Sequence, residues 1–221
     1  GVASLTLARA VVDARDRLGV PVVGFDLAGA EAGYPGEDHV AAYEYAQQHF
    51  LKKSVIAGEA YGPESIFQAI TKLHADRIGH GTRLFREDEV HSRDVDPIRY
   101  VHQLSEYIAD RRITLEVCIT SNMQTMPQLR RVEDHPLGKM LQRRLSVSLC
   151  TDNRLVSRTT VTNELDKAVR AFQISPAELR NTVLHGFKRS FYPGTYREKR
   201  AYVRKVIDWY DDLCRQHGVP R

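Results

Sequence analysis

The sequence predicts an α/β fold in which a parallel sheet is built from repeated strand–helix units. Short apolar runs alternate with stretches of helical periodicity, which is the pattern of β-α units and not of a sandwich or a helical bundle. The 221 residues are enough for one domain with a sizeable core, and they include no low-complexity segment, Pro/Gly-rich linker or short repeat. We therefore expect a single domain over residues 1–221.

Five apolar runs are predicted to be strands, at about Val22–Leu27, Lys53–Ala57, Asp76–Gly79, Thr114–Thr120 and Leu145–Thr151. Strand–helix units in series form a parallel sheet with right-handed crossovers, which is either open and doubly wound or part of a (β/α)8 barrel. Five strands suffice for an open sheet but do not close an eight-stranded barrel. The residues after the first strand match neither GxGxxG nor a P-loop, and this disfavours a nucleotide-binding sheet.

Four of the intervening stretches carry helix signals. Pro63 opens one helix, Pro97 opens another, and Ser175 precedes Pro176 as the N-cap of a third. The final stretch, Thr195 to His217, places large apolar residues at helical spacing. These residues are Tyr202, Val206, Trp209, Tyr210 and Leu213. The spacing predicts a stripe that faces the core.

Composition excludes several classes of function. Hydrophobic residues make up 42% and charged residues 27%, as in a soluble globular protein, and no apolar run approaches the ~18 residues that a membrane span needs. The net charge of +4 is spread over pairs such as Arg111-Arg112 without interleaved aromatic residues, so we expect no nucleic-acid partner and no membrane partner. The three cysteines show neither a disulfide framework nor a CxxC spacing, which favours a cytoplasmic location.

Polar residues follow each predicted strand, at the end where α/β proteins place their sites. They are Asp26 and Gly29, then Gly58-Glu59, Gly79-His80-Gly81, Ser121-Asn122 and Asp152-Asn153. Each has a purely structural interpretation: Glu59 can simply end a strand, and Asp152-Asn153 suits a turn. Their recurrence at consecutive strand ends predicts a shared site.

Four ordered segments carry a specific resemblance. They are residues 26–31 (DLAGAE), 57–66 (AGEAYGPESI), 77–81 (RIGHG) and 148–153 (SLCTDN). In this order they resemble the adenosine deaminase family of the metal-dependent hydrolase superfamily, over nearly the whole chain. The resemblance implies a (β/α) barrel of which this chain is the C-terminal portion, roughly strands four to eight, with the N-terminal barrel strands absent.

The resemblance also implies a reaction and its residues. In the family a zinc-bound hydroxide attacks C6 of adenosine and ammonia leaves, because zinc lowers the pKa of its water to about 7. Glu59 matches the carboxyl that protonates purine N1, and His80 matches the histidine that orients the attacking water. Gly29 matches a backbone donor to N3, and Asp152 matches a carboxylate ligand of zinc. Asn153 stands where many members carry an Asp that bonds N7, and an amide can donate that bond directly.

Two departures concern the metal. The family takes two zinc ligands from a His-x-His motif on the first barrel strand, and none of the nine histidines forms such a motif. A third family ligand precedes Ala-Gly-Glu, where this chain has Ile56, whose side chain offers no lone pair. An isolated Asp152 carboxylate does not hold zinc, because such sites draw on several ligands together. We therefore expect zinc as the family cofactor but expect this chain not to retain it.

These observations leave alternatives from different classes. The complete protein is expected to deaminate adenosine or deoxyadenosine to inosine or deoxyinosine, with a purine nucleoside as substrate and with this chain impaired. The alternative is a non-catalytic relative that binds a purine nucleoside or a protein partner. A half-barrel could also complete itself as a homodimer, because exposed parallel strand edges invite pairing. An upstream reading frame with an in-frame His-x-His segment would favour the enzyme.

Overall fold

The computed structural model describes residues 1–220, and its centre is a five-stranded parallel sheet. The strands are β1 (Gly24–Leu27), β2 (Lys52–Ala57), β3 (Arg77–His80), β4 (Thr114–Val117) and β5 (Val147–Leu149). All five coincide with predicted apolar runs, so the predicted alternation of strands and helices is confirmed. The last two strands are shorter than predicted, because the chain enters a helix at Ile119 and leaves the sheet after Leu149.

The strand order identifies the kind of sheet. Each strand pairs with its sequence neighbours in the order β1-β2-β3-β4-β5, and every pairing is parallel. A doubly wound sheet reverses its order at a switch point, whereas this order runs in one direction. Right-handed crossovers in one direction place the helices on a single face. The topology is that of a barrel segment, and within residues 1–220 the sheet remains open at β1 and β5.

Ten α-helices connect and follow the strands in the described range. They are α1 (Val2–Asp16), α2 (Val40–Gln48), α3 (Pro63–Thr71), α4 (Pro97–Arg111), α5 (Ile119–Thr125), α6 (Leu137–Gln142), α7 (Arg154–Ser157), α8 (Val161–Phe172), α9 (Pro176–Lys188) and α10 (Tyr196–Gln216). Short 3-10 helices cover Gly36–His39, Glu87–Glu89 and Val132–Asp134. In residues 1–220 none of the helices combines the length and the apolar composition that a membrane crossing requires.

The predicted helix starts at Pro63, Pro97 and Pro176 are confirmed, and α4, α9 and α10 begin with side-chain caps. The Asp96 side chain accepts a hydrogen bond from a backbone N–H three residues on, at the start of α4. Ser175 and Glu178 form a reciprocal capping box at α9, and Thr195 and Glu198 form another at α10. Each of these caps satisfies backbone N–H groups that the first helical turn leaves without partners.

The core lies between the outer face of the sheet and the helices packed on it. Its buried apolar residues from the strands are Val55, Ala57, Ile78, Leu115, Val117, Val147 and Leu149. Those from the helices include Ile66, Ala69, Leu104, Ile108, Leu137 and Met140. Full burial of each Leu or Ile side chain contributes roughly 1.5–3 kcal/mol, so this layer supplies most of the driving force for folding.

The other face of the sheet is polar near the ends where the strands begin. Asp26 and Ser54 are register partners, and Ser54 pairs in turn with Arg77. Arg77 forms an ion pair with Glu116 of β4. Its Nη1 atom is buried and has no hydrogen-bond partner within residues 1–220. The helices therefore stabilise one face, while the other presents charged side chains to the interior of the barrel segment.

The last helix differs from the prediction. The periodicity predicts an apolar stripe that faces the core, but no residue of α10 is buried in the described structure, and Trp209 is 64% exposed. The helix packs on α9 through an ion pair between Arg180 and Asp211 and through a ring contact between Phe187 and Tyr202. No element within residues 1–220 covers Trp209 fully. The prediction of a core-facing stripe is therefore wrong.

Candidate active site

Two titratable side chains meet where β2 and β3 end. The register of these strands places Ala57 opposite His80, so Glu59 follows just beyond the pair. His80 Nε2 lies 3.6 Å from Glu59 Oε2, and only 4% of the His80 side chain and 17% of the Glu59 side chain are exposed. Thr125 Oγ1 donates to the other carboxylate oxygen of Glu59 at 3.3 Å. The two residues that the sequence assigns to catalysis are thus adjacent and largely buried.

His80 has an uncommon backbone conformation. Its φ angle is 65°, in the left-handed region, and Asp152 after β5 has a φ of 53°. Such conformations cost non-glycine residues about 1–3 kcal/mol and concentrate at functional sites. Space is tight at the glycine before His80, because a Cβ at Gly79 would lie 3.0 Å from Ile56 Cγ1. His80 is the last residue of β3, so its imidazole lies at the carboxyl edge of the sheet, which we call the rim.

A buried hydrogen-bond chain supports the imidazole from behind. His80 Nδ1 lies 3.0 Å from Asn122 Nδ2, and Asn122 Oδ1 lies 3.2 Å from His135 Nε2. His135 Nδ1 accepts the backbone N–H of Leu137 at 3.0 Å. Burial lowers the pKa of His135 to about 4, so its imidazole is neutral at neutral pH. The chain joins β3, α5 and the segment before α6.

Asp152 and Asn153 follow β5 but are exposed in this chain. Ser121 Oγ donates to Asp152 Oδ2 at 2.6 Å, and Asn153 Oδ1 accepts the N–H of Val156 as the N-cap of α7. Ser121 and Asn122 are predicted directly at a strand end, but the structure places both on α5, beyond the end of β4. They still reach the rim, because α5 begins immediately after the strand.

Glu31 holds the segment that carries Glu59. Its buried carboxylate accepts four successive backbone N–H groups, from residues 58 to 61, at 2.6–3.3 Å. It also accepts the Ser65 hydroxyl. Glu31 lies in one of the four sequence motifs, but its role could not be predicted from that motif. The sequence did offer one signal. The loop after β2 carries backbone N–H groups next to a buried strand end, and such groups need acceptors.

A second buried carboxylate performs the same task on the opposite side of the rim. Glu164 of α8 is fully buried and accepts the backbone N–H of Thr120 at 2.9 Å. It also accepts the hydroxyls of Thr120 and Thr159. Because Thr120 precedes Ser121 and Asn122 on α5, this carboxylate positions both of them. The role of Glu164 was also not predicted from the sequence, because an acidic residue in the first turn of a helix is common.

A cavity of about 330 Å³ lies between the segment after β1, strand β2 and α3. Its lining includes Gly29, Ile56 and Tyr61, together with Glu31. Gly29 has a φ of 121°, which only glycine adopts readily, and a Cβ there would meet nothing within 4 Å. The backbone conformation, and not lack of space, therefore requires a glycine. Within the described residues, Gly29 and Asn153 make no hydrogen bond to Glu59 or His80.

The remaining chemistry of the rim is limited. Within residues 1–220 no group of three or more His, Cys, Asp or Glu side chains is placed to hold a metal ion. Burial raises the pKa of the Cys150 thiol to about 11 and raises that of Cys118 further. Both thiols are therefore protonated at neutral pH and are poor nucleophiles. Glu59 and His80 are therefore the candidate pair for acid–base chemistry at this rim.

The sequence and the fold of the chain are similar to those of known proteins. The adenosine deaminase family model matches residues 2–209. The adenosine deaminase of Mycobacterium avium (strain 104) is 37% identical over 187 residues, which cover 84% of this chain and 50% of that protein. An adenine deaminase structure from Arthrobacter aurescens superposes with a TM-score of 0.71 at 23% identity, covering 92% of this chain and 58% of that one. An amidohydrolase from Burkholderia ambifaria with bound zinc gives 0.73 at 21% identity, covering 95% and 55%.

The structural matches define the class of fold: the open sheet is an incomplete TIM barrel. The family match extends over nearly the whole sequence, and the chain belongs to the adenosine deaminase family. The chain spans about half the length of the curated relatives it matches. The fold and the family named from the four sequence motifs are thereby confirmed.

Replacing the Glu31 carboxylate should loosen the rim. Glu31→Gln exchanges one acceptor oxygen for a donor that opposes backbone N–H groups, so we expect a loss of about 2 kcal/mol in the free energy of unfolding. Urea denaturation measures this loss. Glu37→Gln is the matched control, because Glu37 is 53% exposed and its ion pair with Lys72 lies at the surface. The control should change stability by less than about 0.5 kcal/mol, and equal losses in both variants would contradict the role of Glu31.

The neutral state of His135 should make stability depend on pH. Its pKa in the folded chain is about 4, below the ordinary value of about 6.5, so the unfolded chain binds the extra proton between these values. Stability from this residue is therefore complete above about pH 6.5 and falls as pH drops toward 4, by up to roughly 1.4 kcal/mol per pH unit. Unfolding of His135→Gln should show a correspondingly flatter profile in that window.

The exposed His102 provides the control for this measurement, since His102→Gln removes a histidine from the surface of α4. Its unfolding profile should follow that of the parent chain. A His135→Gln profile as steep as the parent profile between pH 6.5 and 4 would contradict the assignment.

Proposed function

We propose that the complete protein hydrolyses the 6-amino group of a purine nucleoside, converting adenosine or deoxyadenosine to inosine or deoxyinosine. This chain supplies the Glu59–His80 half of that site. The observation that carries the proposal is the 3.6 Å approach of His80 Nε2 to Glu59 Oε2 at the carboxyl edge of a barrel sheet. Membership of the adenosine deaminase family supports the same reaction class.

The proposed reaction consumes one water and one nucleoside and releases one ammonia. Attack at C6 requires an electron-poor ring, and a proton on N1 provides it; Glu59 is the residue that gives this proton. A carboxyl suited to this task lies in a partly desolvated position, as Glu59 does. His80 faces the oxygen that adds to C6 and stabilises its developing charge. Gly29 and Asn153 are the proposed contacts to N3 and N7.

The residues present do not fit the zinc ion of the family. A structurally similar amidohydrolase contains zinc. In this chain, Asp152 stands at the position of a carboxylate zinc ligand of the family. The position before Ala57 is Ile56, and the sequence has no His-x-His motif. No cluster of three ligands forms within residues 1–220. We therefore infer that this chain by itself holds no zinc and does not complete the reaction.

Ile56 favours a second candidate, a relative that binds a purine without converting it. Isoleucine keeps the strand in place through its β propensity, and it lines the same cavity as Gly29. Such a protein would bind adenosine with no turnover, either alone or as a homodimer that closes the open strand edges of β1 and β5. Ammonia release from adenosine by the complete protein distinguishes the enzyme from this candidate, which would bind adenosine without turnover, and a light-scattering mass of the chain shows whether the homodimer forms.

The chain purified as it stands should contain substoichiometric zinc and should not release ammonia from adenosine. The reason is that this chain offers a single carboxylate ligand, Asp152, whereas a protein zinc site uses several ligands together. Elemental analysis after incubation with zinc, together with an ammonia assay, measures both quantities. One zinc per chain accompanied by ammonia release would overturn this inference.

Introducing a histidine at position 56, where the family has its third zinc ligand, should not by itself produce turnover. Ile56→His adds an imidazole to β2, but the two ligands of a His-x-His motif remain absent from the sequence. The variant should stay as inactive as Ile56→Val, which keeps a β-branched side chain and serves as the control for folding. Recovery of adenosine turnover in Ile56→His but not in Ile56→Val would reveal a ligand source elsewhere in the chain.

A further inference from the structure

The hydrogen-bond chain behind His80 has one member whose direction is known without assumption. The backbone N–H of Leu137 can only donate, and it points to His135 Nδ1 at 3.0 Å. His135 Nδ1 is therefore the unprotonated ring nitrogen. His135 is 2% exposed and neutral at neutral pH, so its single proton lies on Nε2.

This proton determines the orientation of the Asn122 amide. His135 Nε2 donates to the atom 3.2 Å away, which must be the amide oxygen, Oδ1. The amide nitrogen then faces His80 Nδ1 at 3.0 Å, and an NH2 group only donates. His80 Nδ1 is consequently an acceptor. A neutral His80 carries its proton on Nε2, the nitrogen that faces Glu59.

We propose that Asn122 and His135 are positioning residues that hold neutral His80 in the Nε2–H tautomer. His80 then presents a hydrogen-bond donor to the site, beside Glu59. As a neutral group with Nε2 protonated it cannot accept a proton at that nitrogen from water. Under the proposed function, on which this consequence rests, His80 stabilises negative charge on the incoming oxygen and does not act as its base.

Burial of the hydrogen-bond chain favours one tautomer of His80 over the other. Asn122 is fully buried, and His80 and His135 are 3% and 2% exposed, so water cannot replace a lost partner. Rotating the Asn122 amide by half a turn would oppose donor to donor at His135, and it would leave an acceptor facing His80 Nδ1. The other tautomer of His80 therefore requires the whole chain of bonds to change.

The tautomer can be observed directly in the unmodified chain. Long-range ¹H–¹⁵N spectra of the histidine-labelled chain, at about one pH unit above the ordinary histidine pKa of about 6.5, report which ring nitrogen carries a proton. The His80 signals are assigned by their loss in His80→Gln. The proposal requires a protonated Nε2 and an unprotonated Nδ1. A protonated Nδ1, in either the other neutral tautomer or an imidazolium, would overturn it.

A variant tests whether Asn122 is the cause. Asn122→Asp keeps the shape but offers only acceptors, so the Nδ1 nitrogen of His80 should become protonated. Met140→Leu, at a fully buried apolar site on α6, is the control for altered packing and should keep the parent tautomer. Retention of the Nε2–H tautomer in a folded Asn122→Asp chain would refute the role of Asn122. If that variant does not fold, a protonated Nδ1 in the unmodified chain would still refute the proposal.

The measurement involves neither substrate nor metal. A wrong tautomer would remove this proposal and leave the deaminase assignment untouched. Failure of the complete protein to deaminate any purine nucleoside would remove the proposed function, while an Nε2–H signal that is present in the parent chain and lost in Asn122→Asp would still support the positioning role of Asn122.

Discussion

The Glu31 carboxylate connects the segment after β1 to the segment after β2, and the geometry of the rim depends on it. Four consecutive backbone N–H groups and one hydroxyl converge on this buried group. Hydrogen bonds to a charged acceptor are stronger than neutral ones, and here they fix a loop that has no regular secondary structure. Glu59 lies inside that loop, so its distance from His80 follows from the position of Glu31. Glu164 holds the start of α5 in a similar way, and with it Asn122.

The parts of the fold that could be predicted from the sequence are those with a local signal. Strand positions follow from short apolar runs, and the starts of α3, α4 and α9 follow from Pro63, from Pro97 and from the Ser175 N-cap before Pro176. The pairing of Glu59 with His80 was also accessible, because both follow strands and parallel strands end at one edge. The strand positions and helix starts depend on residues within a few positions of each other, whereas the Glu59–His80 pairing depends on the shared edge of two neighbouring strands.

The rest depends on partners far apart in sequence. Glu31 is 27 or more residues from the N–H groups that it accepts, and Asn122 is 42 residues from His80. No local pattern marks such carboxylates or amides as buried. The prediction for α10 was wrong for the opposite reason. Its apolar stripe has a clear helical period, but burial also requires a second surface that packs against the stripe. Residues 1–220 provide no surface that covers Trp209 fully. Periodicity shows that a helix has an apolar face, but it does not show which other element packs against that face.

The central claim is that the carboxyl edge of this sheet is a purine site whose loops are held by buried carboxylates. Titration of the ¹⁵N-labelled chain with adenosine, followed by backbone amide shifts, tests it most directly. The account predicts saturable shifts at Gly29, Glu59, His80 and Asn153. Shifts confined to α10, or none at the four rim residues at saturating nucleoside, would contradict it.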